Sequence, residues 1–354
     1  MDVLSDVLRA VRLTGAIFFD VEQRAPWVAE TPAGAAIASK IMPDAEHVIM
    51  LHAVASGSGW AEILDGSIPP ICLEAGDILV VPMGDAHVLC STPGMRAPPN
   101  VDMYYRPADR RLPFLISPGS GNGERIHFVC GYLGCDARPF NPMLLGLPRM
   151  LHMRAADGIG GITQLFRLAV EETAAPRSGG ETVLSKVAEL MFVDVLRRHI
   201  ATLPPDAIGW LSGLRDAHIG AALALLHGKP AEAWTVESLA SGVGLSRSLF
   251  AERFTHFMQD SPMHYLMRWR MQLATRLLEH QGVGVAQVAA EVGYESEAAF
   301  NRAFKKCVGM PPGTWRRNQQ AVFRAGSCND RPAAKRQAHA THLLAQWPEP
   351  LAAL

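Results

Sequence analysis

The stretch Val236-Glu-Ser-Leu239-Ala240-Ser-Gly-Val243-Gly244-Leu245, then Phe250 and Phe254, recurs as Val285-Ala-Gln-Val288-Ala289-Ala-Glu-Val292-Gly293-Tyr294, then Phe300 and Phe304. The period is about 50 residues, too long for chance alternation and right for a repeated supersecondary unit. Each copy ends at a proline, Ser261-Pro262 and Pro311-Pro312, followed by an aromatic, Tyr265 and Trp315. The physical reading is a helix-turn-helix. Val236, Leu239 and Ala240 face inward, the small alanine lets two helices approach, and Gly244 supplies the tight turn. Phe250 and Phe254, one helical turn apart, anchor the second helix. A bundle of two hairpins would not require the whole pattern to return in register.

Around these copies the match widens through Trp234-Thr235-Val236, S-P-x-x-Y-L-x-x-x-R at Ser261–Arg270 and G-Y-x-S at Gly293–Ser296. It continues through F-x-R-x-F-K at Phe300–Lys305 and G-x-P-P at Gly309–Pro312. With these residues the segment from about 215 to 317 resembles the DNA-binding domain of the AraC/XylS family of transcription regulators. The resemblance implies two helix-turn-helix units joined by a long helix, here about Pro262–His280. Both recognition helices would enter successive major-groove segments on one face of double-stranded DNA.

Helix periodicity names the side chains that would reach it. With Phe300, Ala303 and Phe304 inward, the opposite stripe is Ala298, Asn301, Arg302 and Lys305. Arginine pairs with guanine and asparagine with adenine, while Lys305 and Lys306 suit phosphates. In the first unit the stripe is Ser248, Ala251, Glu252 and Thr255, with Arg247 near the helix start. Many family members carry Arg where this chain has Glu252, and Gly where it has Gln259. Glu252 is either an acceptor for cytosine or a solvated charge, and disfavours phosphate either way.

The first half reads differently. Short β-like runs at Val48–Val54, Trp60–Leu64, Ile78–Val81 and Ile126–Val129 alternate with Gly, Pro and Asp turns, as in a sandwich or barrel. Residues 93–124, rich in Pro, Gly and Arg, read as a long inserted loop. Gly76, Pro82, Gly84 and His87 fit G-x5-P-x-G-x2-H and resemble the second cupin motif, with Ser91 at its usual asparagine. The first cupin motif is not recovered, because four residues separate His47 from His52 and no glutamate follows at the right spacing. The barrel then offers His52 and His87 as effector-binding residues, with His47 or His127 less well placed. A metal at His52 and His87 is the alternative, but a third ligand is missing and no cofactor is expected. Cys130 and Cys135 are redox candidates, because Arg125, His127 and Arg138 nearby in sequence would lower a thiol pKa. The opposing reading makes Cys130 a small buried hydrophobe in Phe128-Val129-Cys130. Barrel, helical segment and paired units, with His127–Gly131 and Leu147-Pro148, resemble the cupin-type subgroup of the same family. There the barrel senses a small molecule or redox state and the intervening helices pair two subunits.

The expected fold is α+β: a cupin-like effector domain over 1–140, a helical linker and dimerisation region over 141–210, the double helix-turn-helix domain over 211–318, and a disordered tail over 319–354. The amphipathic stretch Glu181–His199 carries apolar stripes at Val183, Val187, Leu190 and Val193 and at Leu184, Met191 and Val195, so a homodimer through it or the barrel is expected. Charge follows the division. Residues 1–210 hold 17 Lys and Arg against 23 Asp and Glu, and residues 211–320 hold 12 against 9. Six cysteines without a C-x-x-C pair argue against a disulfide scaffold, and no run is apolar enough for a membrane span. The start lacks a signal-peptide pattern, so the cytoplasm is expected. The expected function is a transcription regulator, with RNA polymerase as a further partner if it activates. The rivals are a cupin metalloenzyme, an oxygenase or isomerase, and a helical interaction module. Neither an acid–base pair nor a full ligand set supports the enzyme.

Overall fold

The computed structural model describes residues 2–104, 112–116, 121–155, 161–175, 177–279 and 282–326. Helix α1 (Val3–Ala10) starts where the Asp2 carboxylate accepts from the Ser5 amide, and it buries Val3, Val7 and Ala10. Ten strands then form two facing sheets. In order across the first lie β10 (Leu151–Met153), β6 (Ile78–Val81), β3 (His47–Ser56), β9 (Arg125–Cys135), β1 (Thr14–Arg24) and β8 (Phe114–Ile116). Across the second lie β2 (Val28–Thr31), β7 (His87–Cys90), β4 (Ser58–Ile63) and β5 (Ile71–Glu74). All pairs are antiparallel except β1 with β8. The sheets enclose one apolar core that includes Trp27, Ile37 on helix α2 (Gly34–Ile41), Met50, Val81, Phe128 and Tyr132.

Two described parts of the 93–124 insertion join the fold. Its short 3-10 turn Val101–Tyr104 buries Tyr104 in that core, and β8 extends the first sheet.

The outer face of the first sheet is covered by helices. After α3 (Pro142–Leu145) come α4 (Gly161–Ala174) and α5 (Gly180–Thr202). Helix α5 lies so close to β1 that a Cβ on Gly15 would stand 2.6 Å from the Ser185 carbonyl oxygen, and the Gly15 amide donates to Glu189 at 3.1 Å. Glycine is required there by contact, not by conformation. This packing covers most of the stripe expected at a dimer seam. Leu184, Val187, Met191 and Val195 are all buried within the chain, so the stripe is already covered. Among the expected seam residues, only Val183 and Leu190 remain exposed, at 38% and 52%.

The C-terminal helices are α6 (Trp210–Gly213), α7 (Ala217–Gly228), α8 (Val236–Gly242), α9 (Arg247–Met258), α10 (Pro262–Glu279), α11 (Val285–Glu291), α12 (Glu297–Val308) and α13 (Pro312–Gly326). Helix α13 runs past residue 318, so the expected tail is helical at its start; residues 327–354 lie outside the described part. The cores are unequal. Phe250, Phe254, Tyr265 and Trp269 join the outer core beneath the first sheet, together with α1, α3 and α5. Phe300, Phe304, Val288, Ala289, Val292, Met271, Ala274 and Leu278 form a separate one. Among the described residues no helix is long and apolar enough to cross a membrane.

Candidate DNA interface and barrel site

Each recognition helix is built by the same local rules. Ser246 caps α9 by accepting from the Leu249 amide, and Ser296 caps α12 by accepting from the Ala299 amide. Gly244 and Gly293 sit at φ 73° and 82°, the left-handed turn into each helix. At Gly293 a side chain would also strike Ala231, whose carbonyl oxygen would be 2.6 Å from a Cβ. The helix ends differ. Gly309 takes the left-handed position after α12, whereas Gln259 takes it after α9 at φ 53° and donates from Nε2 to the His256 carbonyl at 2.8 Å. A non-glycine residue tolerates this conformation only at a cost.

The inward faces are as expected: Phe250, Phe254, Phe300 and Phe304 are fully buried, with ring pairs 5.7 and 5.5 Å apart. On the outward face of α12, Ala298, Arg302, Lys305 and Lys306 are exposed and Asn301 is half-buried. Among the described residues no hydrogen bond or ion pair engages the side chains of Arg302, Lys305 or Lys306. On α9, Ser248 and Glu252 are exposed and Ala251 is half-buried. Arg247 is exposed but paired with Glu237 at 2.6 Å. Sequence reasoning missed two residues here. Leu249, 48% exposed, adds an apolar side chain to the start of α9. Arg316 on α13 holds Nε and one terminal nitrogen buried and without a partner.

Inside the barrel, register brings the two histidines together. His52 on β3 stands opposite Cys130 on β9, while His87 enters from the other sheet on β7. The Cys130 Sγ is 3.1 Å from His52 Nδ1, His52 Nε2 is 2.7 Å from His87 Nε2, and His87 Nδ1 is 2.8 Å from the Asp85 carbonyl oxygen. The carbonyl only accepts, so His87 carries its proton on Nδ1 and accepts at Nε2. His52 must then donate from Nε2 and accept at Nδ1 from the thiol. Every member is neutral. Burial drives His52 well below the ordinary range and His87 down to about 4. Above the chain, Tyr104 and Tyr132 pack edge to face at 6.2 Å and share a hydroxyl hydrogen bond, and Tyr104 also bonds Thr31. Burial raises Tyr104 to about 12. Neither tyrosine was anticipated, since nothing local marks a loop tyrosine or a strand tyrosine as a cluster member.

The other candidates fall elsewhere. His47 Nε2 donates to the Pro82 carbonyl, and His127 pairs with Asp20. His52 and His87 face each other across a hydrogen bond, and among the described residues no group of three His, Cys, Asp or Glu stands arranged to hold a metal. The redox reading of Cys130 and Cys135 is corrected. Both thiols are buried and pushed up, chiefly by desolvation, and the arginines meant to lower them pair instead with Glu22 and Glu46. Lying five apart on one strand, they point to opposite faces about 16 Å apart and cannot bridge.

From Cys130 the strand β9 runs without a break to the seam between the halves. Asp136, just past it, accepts from Arg12 Nε at 2.9 Å, and the same guanidinium reaches Glu279 on α10 at 3.1 Å. Gln272, fully buried on α10, accepts from the Phe140 amide at 3.1 Å and donates to the Ala10 carbonyl at 3.2 Å. Arg268 lies over the Phe140 ring at 4.2 Å. A buried amide that bonds two segments of the other domain fixes one relative placement.

Comparison with known proteins agrees with this division. A family model described as Cupin matches residues 2–201, and one described as Helix-turn-helix domain matches residues 239–318. A Streptomyces lividans protein named as an AraC-like transcription regulator is 32% identical over 90% of this chain and 99% of its own length. The transcriptional regulator AlkR of Acinetobacter baylyi is 27% identical over 89% and 99%. The solved DNA-binding domain of AdpA, in complex with a target DNA, is 29% identical over 32% of this chain and 99% of its own, with a TM-score of 0.29.

Proposed function

The chain belongs to the AraC-like transcription regulators, and from that premise we propose that its barrel reads a small-molecule effector and passes the result to its DNA-reading helices through α10. That it binds DNA as a helix-turn-helix regulator follows from the family. The sensing role rests on the His52–His87–Cys130 cluster with Tyr104 and Tyr132. A fold gains little from such polar groups in a dry core, while a ligand that replaces one of their hydrogen bonds would find several more within reach. His52 and His87 are the effector-binding residues of this proposal. The path outward is β9, then Asp136 and Arg12, then α10.

On the DNA side the proposal assigns Arg247, Ser248, Ala251 and Glu252 of α9 and Ala298, Asn301, Arg302, Lys305 and Lys306 of α12 to the interface. The protein works in the cytoplasm beside the chromosome, and as an activator it would meet RNA polymerase there. Selection by the full-length chain from a random duplex library tests the reading. Recovery of one recurrent sequence is expected; a library that stays random would sink it.

Two copies pair, in this proposal, through the apolar side chains that the fold leaves open on α5. Val187→Asp would disturb the core. Leu190→Asp is the informative change, and light scattering should report a folded monomer. A folded dimer in that variant places the seam elsewhere.

A further inference from the structure

We propose that the two helix-turn-helix units divide the work on DNA: α12 anchors the protein to the phosphate backbone and reads the dominant segment, while α9 engages a second segment weakly. The proposal rests on the DNA-binding reading above and goes beyond it, since that reading treats both helices alike.

Superposing the repeats in sequence, position by position, shows the asymmetry. Ser248, Ala251, Glu252, Thr255 and His256 of α9 correspond to Ala298, Asn301, Arg302, Lys305 and Lys306 of α12. The outward face of the second helix therefore carries three cations where the first carries one carboxylate and no fixed positive charge. The cations that α9 does have are spent within its own unit. Arg247 pairs with Glu237, and Arg253 shares its Nε–H between the two Asp216 carboxylate oxygens at 3.1 and 3.0 Å. Asp216 is itself committed to capping α7. On α12 one acid opposes the trend: Glu297, exposed, occupies the position of Arg247 at the side of the helix. The next helix restores the difference. Arg316 and Arg317 on α13 stand where Leu266 and Met267 stand on α10; Arg317 is exposed, while Nε and one terminal nitrogen of Arg316 are buried.

Packing supplies an independent observation. The first unit shares its core with α1, α3 and α5 beneath the barrel, so its placement depends on the sensing half. The second unit closes around its own phenylalanines and meets the rest through α10 and the close approach of Gly293 to Ala231. Phosphate affinity scales with the cations presented, and a carboxylate at the same surface repels the backbone. The charged, separately packed unit is the one suited to hold DNA whatever the barrel does.

Three full-length variants test this, each altering exposed side chains only: Glu252→Gln, Lys305→Ala with Lys306→Ala, and Glu252→Arg. Library selection with the wild type should enrich one contiguous major-groove block strongly and a second, about a helical turn away, weakly. The double lysine variant should lose about two units from the slope of log affinity against log salt. Glu252→Gln should bind about threefold tighter at low salt, as expected for removing one like charge near phosphate. Glu252→Arg should raise the information in the weak block. Two equally strong blocks for the wild type, or an unchanged slope in the double lysine variant, would overturn the division of labour alone. A library without any enriched sequence overturns the regulator reading and the division with it.

Discussion

Phe304→Ala is expected to abolish DNA binding by unfolding the second helix-turn-helix unit while leaving the barrel intact. The ring is fully buried, lies 5.5 Å from Phe300 and meets Trp315 edge to face at 6.3 Å. Truncating a buried phenylalanine costs about 3–5 kcal/mol, and the core it leaves is small. That core is also separate from the one under the barrel, so the loss is local. Circular dichroism should show reduced helix at 25 °C and calorimetry a surviving transition from the first domain. Gel shifts should show no complex at concentrations that saturate the wild type. Wild-type affinity in a fully helical variant would mean that α12 is neither anchored as described nor needed.

Acidification is expected to destabilise the first domain and the first unit well before ordinary carboxylates titrate. His52, His87 and His227, the last on α7 beside the Tyr265 hydroxyl, are buried and neutral, with His87 lowered to about 4, His227 to about 3 and His52 driven well down, all chiefly by desolvation. In the unfolded chain each titrates near the free value of about 6.5. Between that value and the folded one, the unfolded state holds protons that the native state refuses, so stability falls as pH falls. At His87 the gap is about 2.5 units, which corresponds to about 3 kcal/mol by pH 4. Above pH 7 the three contribute no pH dependence. Melting temperature should therefore be flat from pH 8 to 7 and decline steadily from 6.5 to 4.5. His87→Gln, which keeps a polar partner for His52, should remove about one proton from the slope. A melting temperature unchanged between pH 7 and 5 would show that these rings are solvated or already charged.

What the sequence made legible follows from range. Within each copy of the repeat the turn glycine and the inward phenylalanines are set within a dozen residues, and each stands where the repeat put it. The G-x5-P-x-G-x2-H pattern likewise delivered His87, because strand, turn and strand lie consecutively. Its contact with His52 depends on two sheets facing each other, and the pairing of His52 with Cys130 depends on register across 78 residues. Tyr104 reached the barrel from a loop whose composition signals only irregularity. Gln272 looked like any polar residue on a helix, yet it is buried because a domain docks there. Val187 erred the other way: an apolar stripe shows that something covers it, not whether the cover is β1 or a second chain. Cys130 shows the same limit for charge, since arginines close in sequence were claimed by glutamates on neighbouring elements.

The reading of bases by α12 is tested most directly by library selection with Arg302→Ala, run beside the wild type. Arg302 is exposed, engaged by nothing among the described residues, and one turn before Lys305. Its planar fork suits the N7 and O6 of guanine. The variant should recover the wild-type sequence with preference lost at one base position and affinity reduced by about 1–3 kcal/mol. Unchanged preference at every position, with affinity lowered equally for all sequences, would contradict the account and return Arg302 to the phosphate backbone.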